Sequence, residues 1–210
     1  NAFGEAEVRL LSTVAASMGV ALESARLFNE TKEALHKVEE RTAELSETLE
    51  YQTAISRVLR VISESPTDVA PVLEVILDCA TRLLQPQFAA TYRYDGRLIH
   101  MAATRNWTPE MTEEASALFP MPADERSITG RAILARKTIA IEDLLSDPQY
   151  GLGQLAKAGG WRRMISAPML KDGLPVGTIN VTWAQPGQTP QRQIDLLQTF
   201  ADQAVIAIEN

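Results

Sequence analysis

Residues 163–183 decide how this chain folds. They read Arg163-Met164-Ile165-Ser166-Ala167-Pro168-Met169-Leu170, then Lys171-Asp172-Gly173, then Leu174-Pro175-Val176-Gly177-Thr178-Ile179-Asn180-Val181-Thr182-Trp183. Two apolar runs rich in β-formers flank a short Asp-Gly turn, the signature of a β-hairpin. With Lys171-Asp172-Gly173 as a three-residue loop and Gly173 left-handed, Leu170 meets Leu174 and Ile165 meets Ile179. A two-residue turn sets Ile165 against Asn180, a poorer match, so the three-residue loop is expected. That register gathers Ile165, Ala167, Gly177, Ile179, Val181 and Trp183 on one face. Met164, Ser166, Thr178, Asn180 and Thr182 take the other. The first face is a core wall. The second is half polar in mid-sheet, so its hydroxyls and amide need partners from protein, water or a ligand.

The 210-residue chain has room for one good-sized core and an elongated part besides. Its net charge of −7, with no cluster of lysine or arginine, excludes a nucleic-acid footprint. The single cysteine, Cys79, rules out an intramolecular disulfide or a Cys-rich metal site and suits a reducing, cytoplasmic setting. His36 and His100 are too few and too far apart for a zinc site. No unbroken apolar run approaches about 18 residues and no signal peptide is visible, so no membrane segment is expected in this stretch. Starting at Asn1 and ending on Glu209-Asn210 in mid-pattern, the chain reads as a piece of something longer.

Between Glu5 and Ser63 there is no proline and one glycine, Gly19. This predicts nearly continuous helix, stopped by Ser65-Pro66. Val8, Leu11, Ala15, Met18, Leu22 and Ala25 recur at steps of three and four. Leu35, Val38, Thr42, Leu45 and Leu49 do so again, one residue out of phase around Phe28. A polar helix with one narrow apolar seam calls for a helical partner, and a parallel homodimer is expected.

An internal repeat accounts for the beginning. Leu10-Leu11-Ser12-Thr13-Val14-Ala15 recurs as Leu196-Leu197-Gln198-Thr199-Phe200-Ala201, and Val20-Ala21-Leu22-Glu23 aligns with Ile206-Ala207-Ile208-Glu209. Residues 1–29 then read as the terminal helix of an upstream copy, 30–50 as a coiled-coil linker, and 51–210 as one complete domain.

In that domain, helical 51–63 and 69–84 come first, the second with a core stripe of Val72, Leu73, Ile76, Ala80, Leu83 and Leu84. Cys79 lies beside the stripe and reads as an inert buried thiol. Phe88–Tyr94, Asp95-Gly96 and Arg97–Thr104 form another hairpin, with Tyr92 and Tyr94 on one face. A short helix over 109–118 leads to the Phe119-Pro120-Met121-Pro122 corner. Ser127 caps a helix running to Lys137. A short strand over 138–141, a Gly-rich excursion over 142–161, the hairpin at 163–183 and a closing helix from Gln191 complete the order.

Three stretches in that order carry a family resemblance: Ser127-Ile128-Thr129-Gly130-Arg131-Ala132, Ile139-Ala140-Ile141-Glu142-Asp143, and Ser166-Ala167-Pro168-Met169-Leu170 with Gly173, Val176, Gly177 and Ile179. Together they resemble a GAF domain of bacterial multi-domain sensors, of the sensor histidine kinase or nucleotide cyclase type. The resemblance implies an α/β (α+β) fold, GAF-like and PAS-related. Its central antiparallel sheet would carry helices on one face and a pocket under loops on the other, after a long N-terminal coiled-coil helix. It also implies a small-molecule pocket lined here by Tyr92, Asp143, Met164, Ser166, Asn180 and Thr182. Five of these lie on the sheet, and four belong to the half-polar face of the hairpin at 163–183.

The departures narrow the reading. The cyclic-nucleotide pattern of this family is missing. Thr182 stands where bilin-binding relatives carry a histidine, and Cys79 precedes the sheet, so no covalent chromophore or other cofactor is expected. Sulfoxide-reducing members need several cysteines. No nucleophile–base pair or metal constellation points to an enzyme. His36-Lys37-Val38-Glu39-Glu40-Arg41-Thr42 superficially matches a phosphoacceptor helix, but a lysine follows the histidine and no ATP-binding segment follows. The expected function is non-catalytic sensing: an unidentified ligand is bound, and its state passes through the terminal helices to an output domain elsewhere in the same protein. The alternative is a spacer that only dimerises.

Overall fold

The computed structural model describes residues 4–64 and 69–209. The chain divides into two compact units, Asn1–Tyr51 and Gln52–Asn210. The described part of the first is all helix and belongs to α1 (Glu5–Glu64), whose last residues fall in the second; α1 is unbroken as the lack of proline predicts. The expected stop at Ser65-Pro66 lies outside the described residues. Leu11, Met18, Leu35, Val38, Leu45 and Leu49 of α1 are each more than half exposed. Within Val8–Ala54, an 18-residue window reaches a mean hydropathy of 1.2 with at most two charges. By length and composition alone, α1 is therefore long and apolar enough to cross a membrane, although its unbroken apolar runs are short.

The second unit is organised on a six-stranded antiparallel sheet. Its strands are β1 (Phe88–Tyr94), β2 (Leu98–Arg105), β3 (Met121–Pro122), β4 (Ile139–Ile141), β5 (Arg163–Lys171) and β6 (Leu174–Trp183). Their spatial order is β3-β2-β1-β6-β5-β4, which places the two long hairpins side by side. Helices α2 (Val69–Leu84) and α6 (Gln191–Glu209) cover one face. Ile165, Ile179 and Val181 from the sheet meet Ile76, Leu77, Leu197 and Phe200 from these helices, all sealed from solvent. Each such side chain contributes about 1.5–3 kcal/mol by leaving water. Cys79 belongs to this core, 1% exposed, with its thiol 3.8 Å from the Ala54 carbonyl oxygen.

The opposite face is roofed by short elements: α3 (Pro109–Ser116), α4 (Ile128–Ala135), a 3-10 turn at Leu144–Ser146, and α5 (Gly153–Gly159). The excursion over 142–161 thus contains structure that its glycines conceal. Ser127 caps α4 as expected, its Oγ accepting from the Gly130 N–H at 2.9 Å. A Cβ at Gly130 would lie 2.1 Å from the Asp124 carbonyl oxygen, so only glycine fits there.

The β5–β6 register corrects the sequence expectation. The turn has two residues, not three: Lys171 pairs with Leu174 across Asp172 and Gly173. Both turn residues have positive φ, 49° and 76°, as a type I′ turn requires. Leu170 pairs with Pro175 and Met169 with Gly177, leaving Val176 as a β-bulge. Ile165 therefore faces Val181 rather than Ile179, and Ser166 faces Asn180. From Met169 and Gly177 onward the register lies two residues from the one expected, so the side chains of Met164–Met169 and Gly177–Trp183 keep their expected faces, while Leu174 and Pro175 exchange theirs. Turn chemistry alone does not reveal the bulge. Gly177, next to it, permits close approach of β1, since a Cβ there would lie 2.2 Å from the Tyr92 carbonyl oxygen.

Candidate functional site

The half-polar face is the floor of the site. Ser166, Asn180 and Thr182 are 0%, 3% and 5% exposed, and Tyr92 and Met164 are buried as well, slightly less deeply. The Ser166 hydroxyl donates to Asn180 Oδ1 at 2.6 Å, and Asn180 Nδ2 donates to the Thr129 hydroxyl at 2.7 Å. Protein therefore supplies the partners that the sequence leaves open for Ser166 and Asn180, through a helix, α4, laid across the sheet. Thr178, farther along the same face, has a buried hydroxyl with no partner among the described residues.

Beside this chain of hydrogen bonds is a cavity of about 20 Å³, room for one water molecule. Tyr92, Met164, Asn180 and Thr182 line it together with Trp107 and Trp161. Four of the six expected site residues thus converge on one void. Ser166 stands one step away, bonded to Asn180.

Asp143 does not join them. It follows β4, caps the 3-10 turn through the Leu145 N–H, accepts from Ser146 Oγ at 2.8 Å, and is gripped on both oxygens by Arg162 at 2.7 and 2.6 Å. The Arg162 guanidinium holds the Asp143 carboxyl well below the usual carboxylate range, with the Ser146 and Leu145 bonds adding to it. Its role in the structure is to fasten the roof segment at its start. Arg131 of α4 fastens the middle by an ion pair to Asp147, and the Gly151 N–H donates to the Arg126 carbonyl at 2.9 Å.

Trp107 and Trp161 belong to the site although the motifs of the sequence do not single them out. Their rings stand 5.2 Å apart at 42°, and Phe88 meets Trp161 edge-on at 6.5 Å. Both indole N–H groups are buried with no hydrogen-bond partner among the described residues, a state that costs free energy. The signal that could have found them is positional. Trp107 directly follows Asn106, whose φ of 62° ends β2, and Trp161 follows Gly159-Gly160 just before β5. Gly159 is what seats Trp161, because a Cβ there would lie 2.6 Å from the indole. Burial pushes the Tyr92 phenol upward, with the neighbouring Tyr150 adding to it, so the hydroxyl stays neutral. The cavity wall is thus aromatic and uncharged. No group of three or more His, Cys, Asp or Glu able to hold a metal occurs among the described residues.

The curled sheet between two long helices and a roof of short ones has a family counterpart. A family model described as GAF domain matches residues 66–209. The chain belongs to the GAF domain family. No curated protein matches it. Among solved structures it is similar to the free methionine-R-sulfoxide reductase of Neisseria meningitidis in complex with its substrate. That pair shares 16% identity at a TM-score of 0.62, over 76% of this chain and 88% of the other. It is also similar to the GAF domain of an Acinetobacter phosphoenolpyruvate-protein phosphotransferase, with 13% identity and a TM-score of 0.61 over 76% and 92%. Residues 122 to 287 of a methyl-accepting chemotaxis protein give 18% identity and 0.57 over 74% and 94%. At these identities the likeness shows the GAF fold, and function rests on this chain's own site.

Proposed function

We propose that this GAF domain is a non-catalytic sensory module that binds a small uncharged or weakly polar molecule between the Trp107–Trp161 pair and the Asn180–Thr182 strand. One observation carries the reading: Trp107 and Trp161, whose buried indole donors have no partner among the described residues, line one void together with Tyr92, Asn180 and Thr182. An acceptor atom that reached either donor as the roof opened would relieve it, each unmade bond costing about 1–3 kcal/mol. With room for only one water, entry requires the roof segment 142–161 to lift, and that segment is held by discrete clasps. Lifting it moves Arg162, whose carbonyl oxygen accepts from Leu144 and whose backbone joins the start of β5. Occupancy would thereby reach the sheet and its covering helices, and through a cytoplasmic dimer of α1 an output kinase or cyclase domain. The sulfoxide reductase likeness does not carry over to catalysis here, since the one thiol, Cys79, is sealed on the other side of the sheet.

A second reading, a ligand-free spacer, is favoured by the completed Ser166–Asn180–Thr129 chain and the small void. The two separate in a thermal-shift screen of metabolites against wild type, Trp107→Phe and Trp161→Phe, with native mass spectrometry of the purified protein. A ligand at a hundredfold excess over its dissociation constant adds about 2.7 kcal/mol, or roughly 5–10 °C for a domain of this size. Phenylalanine keeps a ring and removes the N–H, so a true ligand protects wild type and loses most of that protection in either variant. No protected hit and no co-purified molecule supports the spacer.

A further inference from the structure

The exposed apolar face of α1 near its start has an exact counterpart in position on α6, and the structure says what that counterpart touches. Displaced by 186 residues, Leu10, Leu11, Thr13, Ala15, Ala21 and Glu23 are identical to Leu196, Leu197, Thr199, Ala201, Ala207 and Glu209. In α6 the side chains turned to the sheet and α2 are Leu197, Phe200, Ala201 and Ala204, all with no exposure. Their counterparts are Leu11, Val14, Ala15 and Met18. Of these, Leu11 is 58%, Val14 48% and Met18 60% exposed, and Ala15 is exposed too. The same spacing of the same kinds of residue is a finished core wall in one helix and open surface in the other. Where these four positions differ they stay apolar, Phe200 becoming Val14 and Ala204 becoming Met18, while Val205, at the edge of the same core, becomes Gly19.

We propose that residues 5–23 are the closing helix of a second GAF-like domain on the N-terminal side, with Leu11, Val14, Ala15 and Met18 seated on that domain's sheet as Leu197, Phe200, Ala201 and Ala204 are on this one. The interface it reproduces is established within the chain by the α6 packing. α1 is then shared by two domains, closing one and leading into the next. The apolar window that passes for a membrane span is explained as a domain core wall. Lipid is the other partner with matching apolarity, but Arg9 and Glu23 fall within residues 8–25 of the window region, and charges are costly in a bilayer.

The test extends the coding sequence upstream by one domain length and follows hydrogen exchange of residues 8–22 against the same residues in the 210-residue chain. Exchange in the extended protein is expected to slow at least a hundredfold. In it, Leu11→Ser/Val14→Ser/Met18→Ser should abolish that protection and lower the melting of the upstream part, while the transition of the 52–210 domain stays in place. Unchanged exchange in the extended protein overturns the proposal. So does co-sedimentation of the 210-residue chain with phosphatidylcholine–phosphatidylglycerol vesicles that the triple variant loses, which would assign the face to lipid. Should the triple variant fail to fold, slowed exchange in the unmutated extended protein without vesicle binding still supports the domain.

Discussion

Asn180 lies directly across the sheet from Ser166, and its amide joins two hydroxyls that no other described group satisfies, Ser166 from the neighbouring strand and Thr129 from α4. Both ends of the amide are used, so it works as a rivet between sheet and helix. Asn180→Leu keeps the volume and strands both hydroxyls. We expect it to lower stability by about 1–3 kcal/mol for each group left without a partner, read as a lower urea midpoint with unchanged m-value. An unaltered midpoint would show that water replaces the amide at no cost.

Gly159→Ala should displace Trp161. The added methyl would sit 2.6 Å from the indole and 2.7 Å from its nitrogen, so the ring must move and the roof with it. Overpacking of this kind costs about 1–3 kcal/mol, and the near-ultraviolet circular dichroism of the tryptophans should change. Retention of the wild-type spectrum and melting temperature would mean that α5 yields instead.

Acid should loosen the roof. Asp143 and Asp147 are held below the usual carboxylate range, chiefly by hydrogen bonds from Arg162 and Arg131 respectively. Depressed carboxyls add stability that is fully present above the unfolded value near 4 and is lost as pH falls through the folded values. Urea midpoints should therefore decline below about pH 4. Asp143→Asn/Asp147→Asn should be less stable at pH 7 and show a flatter acid limb. A parallel decline in wild type and variant would place the acid sensitivity elsewhere.

Leu45→Lys/Leu49→Lys should convert a dimer into monomer in analytical ultracentrifugation. Both leucines stand about two-thirds exposed, 69% and 65%, on a helix whose length in isolation is hard to sustain in water. Wild-type sedimentation of the variant would move any dimer contact off this seam.

Much of the fold is legible in the chain because its signals are local. Absence of proline marks α1, Asp-Gly pairs mark both hairpins, and Ser127 announces α4 through its cap. The floor of the site is legible for the same reason, since alternation along β5 and β6 sorts Ser166, Asn180 and Thr182 from Ile165 and Val181. The roof is not. Trp107 and Trp161 are 54 residues apart and meet only after the sheet has formed and Gly159 has cleared space. Asp143 has a site-like position in sequence, yet the nearer and stronger attraction of Arg162 claims it.

The bulge at Val176 has a consequence for how this hairpin tolerates change. A two-residue turn on its own has the wrong parity: it would set Ile165 against Asn180 and mix the oily row with the polar one. One extra residue restores even–odd agreement along β6 from Gly177 to Trp183, as a check digit restores a miscounted line. The tip can therefore trade a residue between turn and bulge without turning the sheet inside out. Length changes between Lys171 and Gly177 are harmless in pairs and ruinous singly.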